Sequence, residues 1–345
     1  MKIHRNCSLK KFNTFSVDEK AQLLFEVDNI SDIPNILSKQ NKKDEILVLG
    51  GGSNILFTKS YDGLIINLKN KGKKIIQEDE NSVLVEVSAG ENWHDFVLWA
   101  IKNDFGGVEN LSLIPGKVGA APIQNIGAYG VELKDIFYSC KGLMLDSLSE
   151  FEFKKTECKF DYRTSIFKST LKNKILITSV KLLLTKSAHN FNIDYRDLNI
   201  NLLNTELSVK KISDEVIKIR TSKLPNPKFF GNCGSFFKNP IVNSSKYKSL
   251  LDKFPNTPAH KVDADNYKIS AAWLIDQSGF KNKKDKNVGV YENQPLVIIN
   301  YGSATGNELL NFALKIKETI YSNFEIELEE EVIIIVAAQC IAAHS

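Results

Sequence analysis

The stretch Ile114-Pro-Gly-Lys-Val-Gly-Ala-Ala-Pro-Ile-Gln-Asn-Ile-Gly-Ala-Tyr-Gly130 holds four glycines, three alanines, two prolines and the amides Gln124 and Asn125. A solvated linker needs no apolar frame, yet Ile114, Val118, Ile123 and Ile126 recur through it as core anchors. Glycine permits φ > 0 and close approach to the main chain. The stretch therefore reads as backbone lying against a flat or phosphorylated ligand. A tightly packed turn between strands is the competing reading.

Upstream, Glu45-Ile-Leu-Val-Leu49 reads as a strand that ends in Gly50-Gly-Gly-Ser-Asn54. Consecutive glycine N–H groups after a strand can converge on an anion. The spacing is not the dinucleotide fingerprint, because Ile55 stands where a third glycine is needed and Ile55-Leu-Phe57 reads as a return strand. Walker A fails as well, for want of Gly-Lys-Ser/Thr. Downstream, Val83–Val87 is a strand, and Trp93, Phe96, Val97, Ala100 and Ile101 mark one face of a helix. His94 beside that stripe is expected to be structural. Ile175–Leu184 is a long strand, and the segment Arg220-Thr-Ser-Lys-Leu-Pro-Asn-Pro227 is expected to be a domain hinge. Helices follow near Ser244–Phe254 and Ile269–Gln277, then the strand Leu296–Ile299. Thr305 and Glu308 have capping-box spacing ahead of Leu309, Ala313, Ile316 and Ile320. Strands and helices interleave throughout, which leaves α+β or α/β open.

A chain of 345 residues with 43% apolar content can bury the cores of two or three domains. Its 45 basic and 41 acidic residues nearly balance, and the lysines are scattered. That pattern argues against a dedicated nucleic-acid binder but suits an anionic small substrate. Five dispersed cysteines (Cys7, Cys140, Cys158, Cys233 and Cys340), without Cys-x-x-Cys or paired histidines, read as free thiols in a reducing compartment. No metal is expected. The N-terminus lacks an apolar h-region and Val332–Ala338 is too short to span a bilayer, so a cytoplasmic protein without membrane insertion is expected.

Three places can carry chemistry. Arg163 lies within Tyr162-Arg-Thr-Ser165, where by itself it is a surface cation. Ser235 lies in Gly231-Asn-Cys-Gly-Ser-Phe-Phe-Lys-Asn-Pro240, which is not a nucleophile elbow; Ser235 is equally a candidate cap. Glu331 is the last charge of Glu325-Ile-Glu-Leu-Glu-Glu-Glu331 before an apolar strand. Desolvation at that edge is expected to favour its protonated form, as suits a general acid or a carboxyl hydrogen-bonded to an anion.

Taken together, Asn13-Thr-Phe-Ser16, Gly50–Asn54, Ile114–Glu132, Tyr162–Ser165, Gly231–Pro240, Trp273–Gln277 and Leu328-Glu-Glu-Glu-Val332 resemble the UDP-N-acetylenolpyruvoylglucosamine reductase family over nearly the whole chain. The resemblance implies an α+β protein built on an FAD-binding fold of the vanillyl-alcohol-oxidase type. Its two subdomains would span 1–70 and 71–219. A separate substrate-binding domain would span 220–322, and a C-terminal strand at 323–345 would carry the catalytic Glu331. It implies bound FAD, held by Gly50, Gly51, Gly52, Ser53 and Asn54 at its pyrophosphate. Pro115, Gly116, Gly119, Ala120, Ala121, Gln124, Asn125, Gly127 and Ala128 would lie along its ring and dinucleotide arm.

The same resemblance implies that NADPH reduces FAD and that the flavin passes hydride to the enolpyruvyl group of a UDP-sugar. Ser235 would donate the proton to C2, while Arg163 and a protonated Glu331 bind the enolate. Tyr129, Lys223, Asn239, Lys281 and Gln294 would surround the substrate. Tyr195, within Asp194-Tyr-Arg-Asp-Leu198, matches the tyrosine that closes over substrate in the family's first subtype. A monomer acting on UDP-N-acetylglucosamine enolpyruvate in peptidoglycan synthesis is the expectation. Many relatives carry arginine where this chain has Ile333 and proline where it has Glu330, and His260 replaces a tyrosine near the uridine of some. Two rivals are a flavin oxidase of the same fold acting on a small alcohol or hydroxy acid, and a nucleotide-binding regulator without chemistry. The arginine, serine and glutamate weigh against the second.

Overall fold

The computed structural model describes residues 1–38 and 45–336. Cys340 and the end of the Val332–Ala338 run lie outside the described residues. The chain divides into two units, one of residues 1–7, 21–52 and 61–222, the other of 8–20, 53–60 and 223–345.

In the first unit a four-stranded sheet runs in the order Lys2–Ser8, Lys20–Val27, Tyr61–Leu68, Ile46–Val48. Tyr61–Leu68 pairs in parallel with Lys20–Val27 on one side and Ile46–Val48 on the other. It is buried at every position but Asp62. A strand covered on both faces suits its central Leu64-Ile-Ile66 run. A second sheet of five strands has the order Glu150–Lys154, Phe137–Met144, Ile175–Thr185, Ser82–Ser88, Lys73–Glu78, all antiparallel. The helix Trp93–Lys102 starts where the Asn92 side chain accepts the Asp95 N–H. It buries Trp93, Phe96, Val97 and Ala100 in one cluster with Val83, Val85 and Val87.

Arg220–Lys223, expected to open a domain hinge, form the last turn of the helix Val209–Lys223, and the division between the two units falls among them, after Ser222. The apolar period of Val209, Ile212, Val216 and Ile219 carries the helix that far, the last three packed on Leu198 and Leu202. Irregular chain follows, and Pro225 cannot extend a helix.

The second unit is organised by the helix Gly306–Phe324, opened by the expected reciprocal capping box of Thr305 and Glu308. Its buried face of Leu309, Phe312, Ala313, Ile316 and Ile320 joins one core with Phe236, Phe237, Leu274 and Ile298. Ile269 belongs to the strand Asn266–Ile269, not to the following helix. That helix spans Ala271–Gln277 and is capped by Ser270. Ile55–Phe57 is a strand but not a return strand: it pairs in parallel with Ile333–Ile335. All three of its side chains are buried, and the distant isoleucine run supplies an apolar partner that Ile46–Val48, already paired to Tyr61–Leu68, does not.

Asn300, 1% exposed, ties this unit together. Its Nδ2 donates to the Phe15 carbonyl at 2.9 Å, and its Oδ1 accepts the N–H groups of Gly302 and Ala304 at 2.7 and 2.9 Å. Its main chain exchanges both bonds with Gly231. Asn300→Ala leaves several buried groups unsatisfied and is expected to cost about 3 kcal/mol or more. The check is the urea midpoint of the second unit's transition followed by circular dichroism, and an unchanged midpoint contradicts this role.

Candidate active site

In the first unit the loop after Ile46–Val48 is shaped by a buried amide. Asn67 Nδ2 donates to the carbonyls of Leu49 and Gly50, at 2.6 and 2.7 Å. C=O and N–H point oppositely across a trans peptide, so fixing these two carbonyls turns the N–H groups of Gly50 and Gly51 away from Asn67. Neither N–H has an acceptor among the described residues. Two successive free amides form an anion-binding concavity.

The glycine-rich stretch packs directly on this loop. A Cβ on Gly51 would stand 2.9 Å from the Gly116 Cα, and one on Gly119 would stand 2.5 Å from the Ala89 Cβ. The packed-turn reading therefore accounts for those two glycines. Gly127 answers to a different need, since a Cβ there would meet Arg163 Nη1 at 2.8 Å. Arg163 Nη2 donates to the Gly127 carbonyl at 2.6 Å. Ser165 Oγ donates to the Ile123 carbonyl at 2.7 Å, which ties the arginine's segment to the stretch. The Asn125 side chain is spent on structure, bonding Glu132, the Asp161 carbonyl and the Lys134 N–H. Asn125, Tyr129 and Arg163 all have left-handed φ, at 46°, 50° and 54°. Such conformations cost energy, and their concentration here is what a preorganised site shows.

Tyr129 and Tyr195 make an edge-to-face contact with ring centroids 4.9 Å apart. Burial pushes the Tyr129 hydroxyl up to about 12, partly offset by the Arg220 charge. Arg220 is a residue that the hinge reading missed. Its Nε is buried without a hydrogen-bond partner, and the charged or ionisable groups that act on it are Tyr129 and Arg163, not a carboxylate. Burial lowers its pKa, and the neighbouring Arg163 lowers it further. The available signal was register: Arg220 follows Val216 by four residues and so shares the buried helix face. His94 has the structural part expected of it, its Nδ1 accepting the Leu113 N–H at 3.0 Å.

In the second unit the segment around Ser235 is held from both sides. Phe236 donates its N–H to the Leu296 carbonyl and accepts the Glu331 N–H, at 2.8 and 2.9 Å, while Phe237 bridges Glu330. The structure thus places Ser235 and Glu331 on adjacent extended segments. Asn54 Nδ2 donates to the Glu331 carbonyl, and the Asn54 carbonyl accepts the Ile333 N–H, so this loop residue also fixes the glutamate's backbone. Cys233 is buried alongside: burial, then the Glu331 charge, push its thiol well up, so it is no nucleophile. Lys223 ends the helix Val209–Lys223. Asn239 Oδ1 accepts the Ala271 N–H at 2.9 Å, Gln294 opens the strand Gln294–Asn300, and Lys281 is exposed beside Asp276 at 3.7 Å. Arg163, Tyr129 and Tyr195 belong to the first unit; Ser235, Glu331, Lys223, Asn239, Lys281 and Gln294 belong to the second. No His, Cys, Asp and Glu cluster among the described residues can hold a metal. No helix among them is long and apolar enough to cross a membrane.

Comparison with known proteins adds an independent line. Residues 21–145 match the model of an FAD binding domain. Residues 226–335 match that of the UDP-N-acetylenolpyruvoylglucosamine reductase C-terminal domain. The chain is an FAD-dependent oxidoreductase with a two-subdomain FAD-binding fold and a C-terminal domain. A UDP-N-acetylenolpyruvoylglucosamine reductase of Flavobacterium johnsoniae is 47% identical over 97% of this chain and 100% of its own length. One of Amoebophilus asiaticus is 44% identical, again over 97% and 100%. The crystal structure of the reductase from Thermus caldophilus superposes with a TM-score of 0.68 at 21% identity, covering 97% of this chain and all of that one. This chain belongs to the UDP-N-acetylenolpyruvoylglucosamine reductase family.

The first unit fits FAD on its own geometry: two unpaired glycine amides suit a diphosphate, and the partly buried Arg220, with its Nε unpartnered, suits an anionic group. A cation that awaits a ligand weakens the empty protein. Arg220→Met is therefore expected to melt no lower than the parent in flavin-free form, while its affinity for FAD or an anionic substrate falls. A large drop in the flavin-free melting temperature would make this cation structural.

Proposed function

We propose that the protein reduces UDP-N-acetylenolpyruvoylglucosamine to UDP-N-acetylmuramate with electrons from NADPH, in the cytoplasm, as a step in peptidoglycan precursor synthesis. Bound FAD supplies the two-electron transfer to the enolpyruvyl double bond. The remaining chemistry falls to side chains. Reduction at C3 leaves a basic centre at C2, and the Ser235 hydroxyl delivers its proton there. Solvent restores the proton to the serine. Arg163 balances the charge that grows on the substrate carboxylate, and Glu331 in its acid form donates a hydrogen bond to it. Both are preset, Arg163 by its bond to the Gly127 carbonyl and Glu331 by the backbone bonds to Phe236 and Asn54.

The observation that carries this reading is the Glu331 N–H bond to the Phe236 carbonyl beside the Phe237 to Glu330 bridge. It sets a hydroxyl and a carboxyl on neighbouring extended segments. In the same reading the free amides of Gly50 and Gly51 receive the FAD diphosphate, with Gly52, Ser53 and Asn54 completing the loop. The Pro115–Ala128 stretch lines the cofactor. Tyr129, Tyr195, Lys223, Asn239, Lys281 and Gln294 serve the UDP-sugar, and the contact between Tyr195 and Tyr129 is how the first-subtype tyrosine would rest. The cofactor subdomains are assigned to 1–70 and 71–219, the substrate domain to 220–322 and the glutamate-bearing strand to 323–345, of which 337–345 lie outside the described residues. A monomer suffices for these roles.

Purified protein is expected to be yellow and to consume NADPH only when the enolpyruvyl substrate is supplied. Ser235→Ala should still be reduced by NADPH in a stopped-flow trace at 450 nm, whereas turnover falls by about 10²–10⁴, as for a lost general acid. Steady NADPH oxidation without substrate, or full turnover by Ser235→Ala, would refute the assignment.

A further inference from the structure

Lys117 is a charged residue inside a stretch otherwise stripped of bulk, and it is only partly exposed. It walls a cavity of about 80 Å³ together with Val48, Leu49, Gly50, Gly119 and Ala120. Its Nζ donates to Asn67 Oδ1 at 3.3 Å and to the Leu68 carbonyl. An amide side chain can present either end to a neighbour, but an ammonium offers only donors. Bonded to Lys117, the Asn67 oxygen faces the lysine and its NH2 faces Leu49 and Gly50. We infer that Lys117 is a positioning residue for the cofactor's diphosphate, acting through Asn67 to hold the Gly50 and Gly51 amides toward the anion and adding a positive charge behind them. This inference rests on the FAD reading above.

The surroundings explain why this lysine, among several, has that part. Lys69 is paired with Glu26 at 2.7 Å, and His4 meets the same carboxylate at 2.9 Å. Lys71 and Lys73 share Glu91, at 3.3 and 3.4 Å. Lys117 has no carboxylate partner among the described residues. Burial, then the charges of Lys69 and Lys71, lower its pKa to about 8, with Glu26 opposing. The sign follows directly. Below that value the ammonium holds Asn67 and attracts the anion. Above it the amine can also accept a hydrogen bond, so its hold on the Asn67 oxygen weakens, and the charge is gone. Anion binding favours the charged form, so affinity falls as pH rises.

The experiment measures FAD dissociation constants by flavin fluorescence on apo-protein, from about pH 7 to about pH 9.5. The parent's affinity should weaken across that range, with a midpoint above about 8. Lys117→Met should bind FAD about tenfold more weakly at neutral pH, in line with the loss of a charged hydrogen bond, and its affinity should be flat over the same range. Lys117→Arg keeps the donor and the charge, and should hold its affinity at the alkaline end. This variant serves as the test if Lys117→Met does not fold. A pH-independent parent, a Met variant within twofold of the parent, or an Arg variant that tracks the parent's alkaline loss overturns the inference alone. Failure of the parent to bind FAD at any pH overturns the functional reading with it.

Discussion

Backbone rests on backbone where Gly51 meets Gly116, and the first unit's site is arranged around that contact. A single added methyl would stand 2.9 Å from a main-chain carbon that cannot move aside. A side chain at Gly51 would keep the loop after Ile46–Val48 off the glycine-rich stretch, and Gly116 has a φ of 114° that L residues rarely adopt. Once they touch, the Asn67 amide reaches two successive loop carbonyls, and Lys117 reaches Asn67. The result is two exposed donors set before any ligand arrives, which limits the reorganisation that binding requires.

A comparable economy governs the second unit. Ser235 and Glu331 lie on adjacent extended segments held by main-chain bonds that side-chain motion cannot loosen. Phe236 contributes those bonds on both edges while burying its ring in the core, so packing and placement share a residue. Asn54 adds a further hold from a loop that the chain reaches early. Arg163 is secured by different means in the other unit, through a left-handed backbone and a carbonyl that only a glycine neighbour makes accessible.

The secondary-structure reading succeeded where periodicity was strong and local. The Trp93 helix, the Thr305 capping box and the long strand at Ile175 all have their determinants within a few residues. It failed where a segment's fate depended on a distant partner or on competing signals. Ile55–Phe57 carries no mark of its pairing with Ile333–Ile335, because hydrogen bonds between strands leave no trace in either sequence alone. The stretch 220–227 does hold the boundary between the two units, after Ser222, but its first four residues are helical because the apolar period continues to Lys223.

Residue chemistry and spacing alone showed much about this protein: interleaved strands and helices, a glycine-rich stretch framed by core anchors, a Gly50–Asn54 loop of neither common nucleotide type, and motifs specific enough to indicate a family. Those features lie in short runs, where local sterics and charge decide the outcome. Only the folded chain decided which glycines serve packing and which adjoin an arginine, and where Asn67, Lys117 and Arg220 stand. The orientation of an amide or the isolation of a buried cation depends on groups tens of residues away. No reading along the chain can supply those distances.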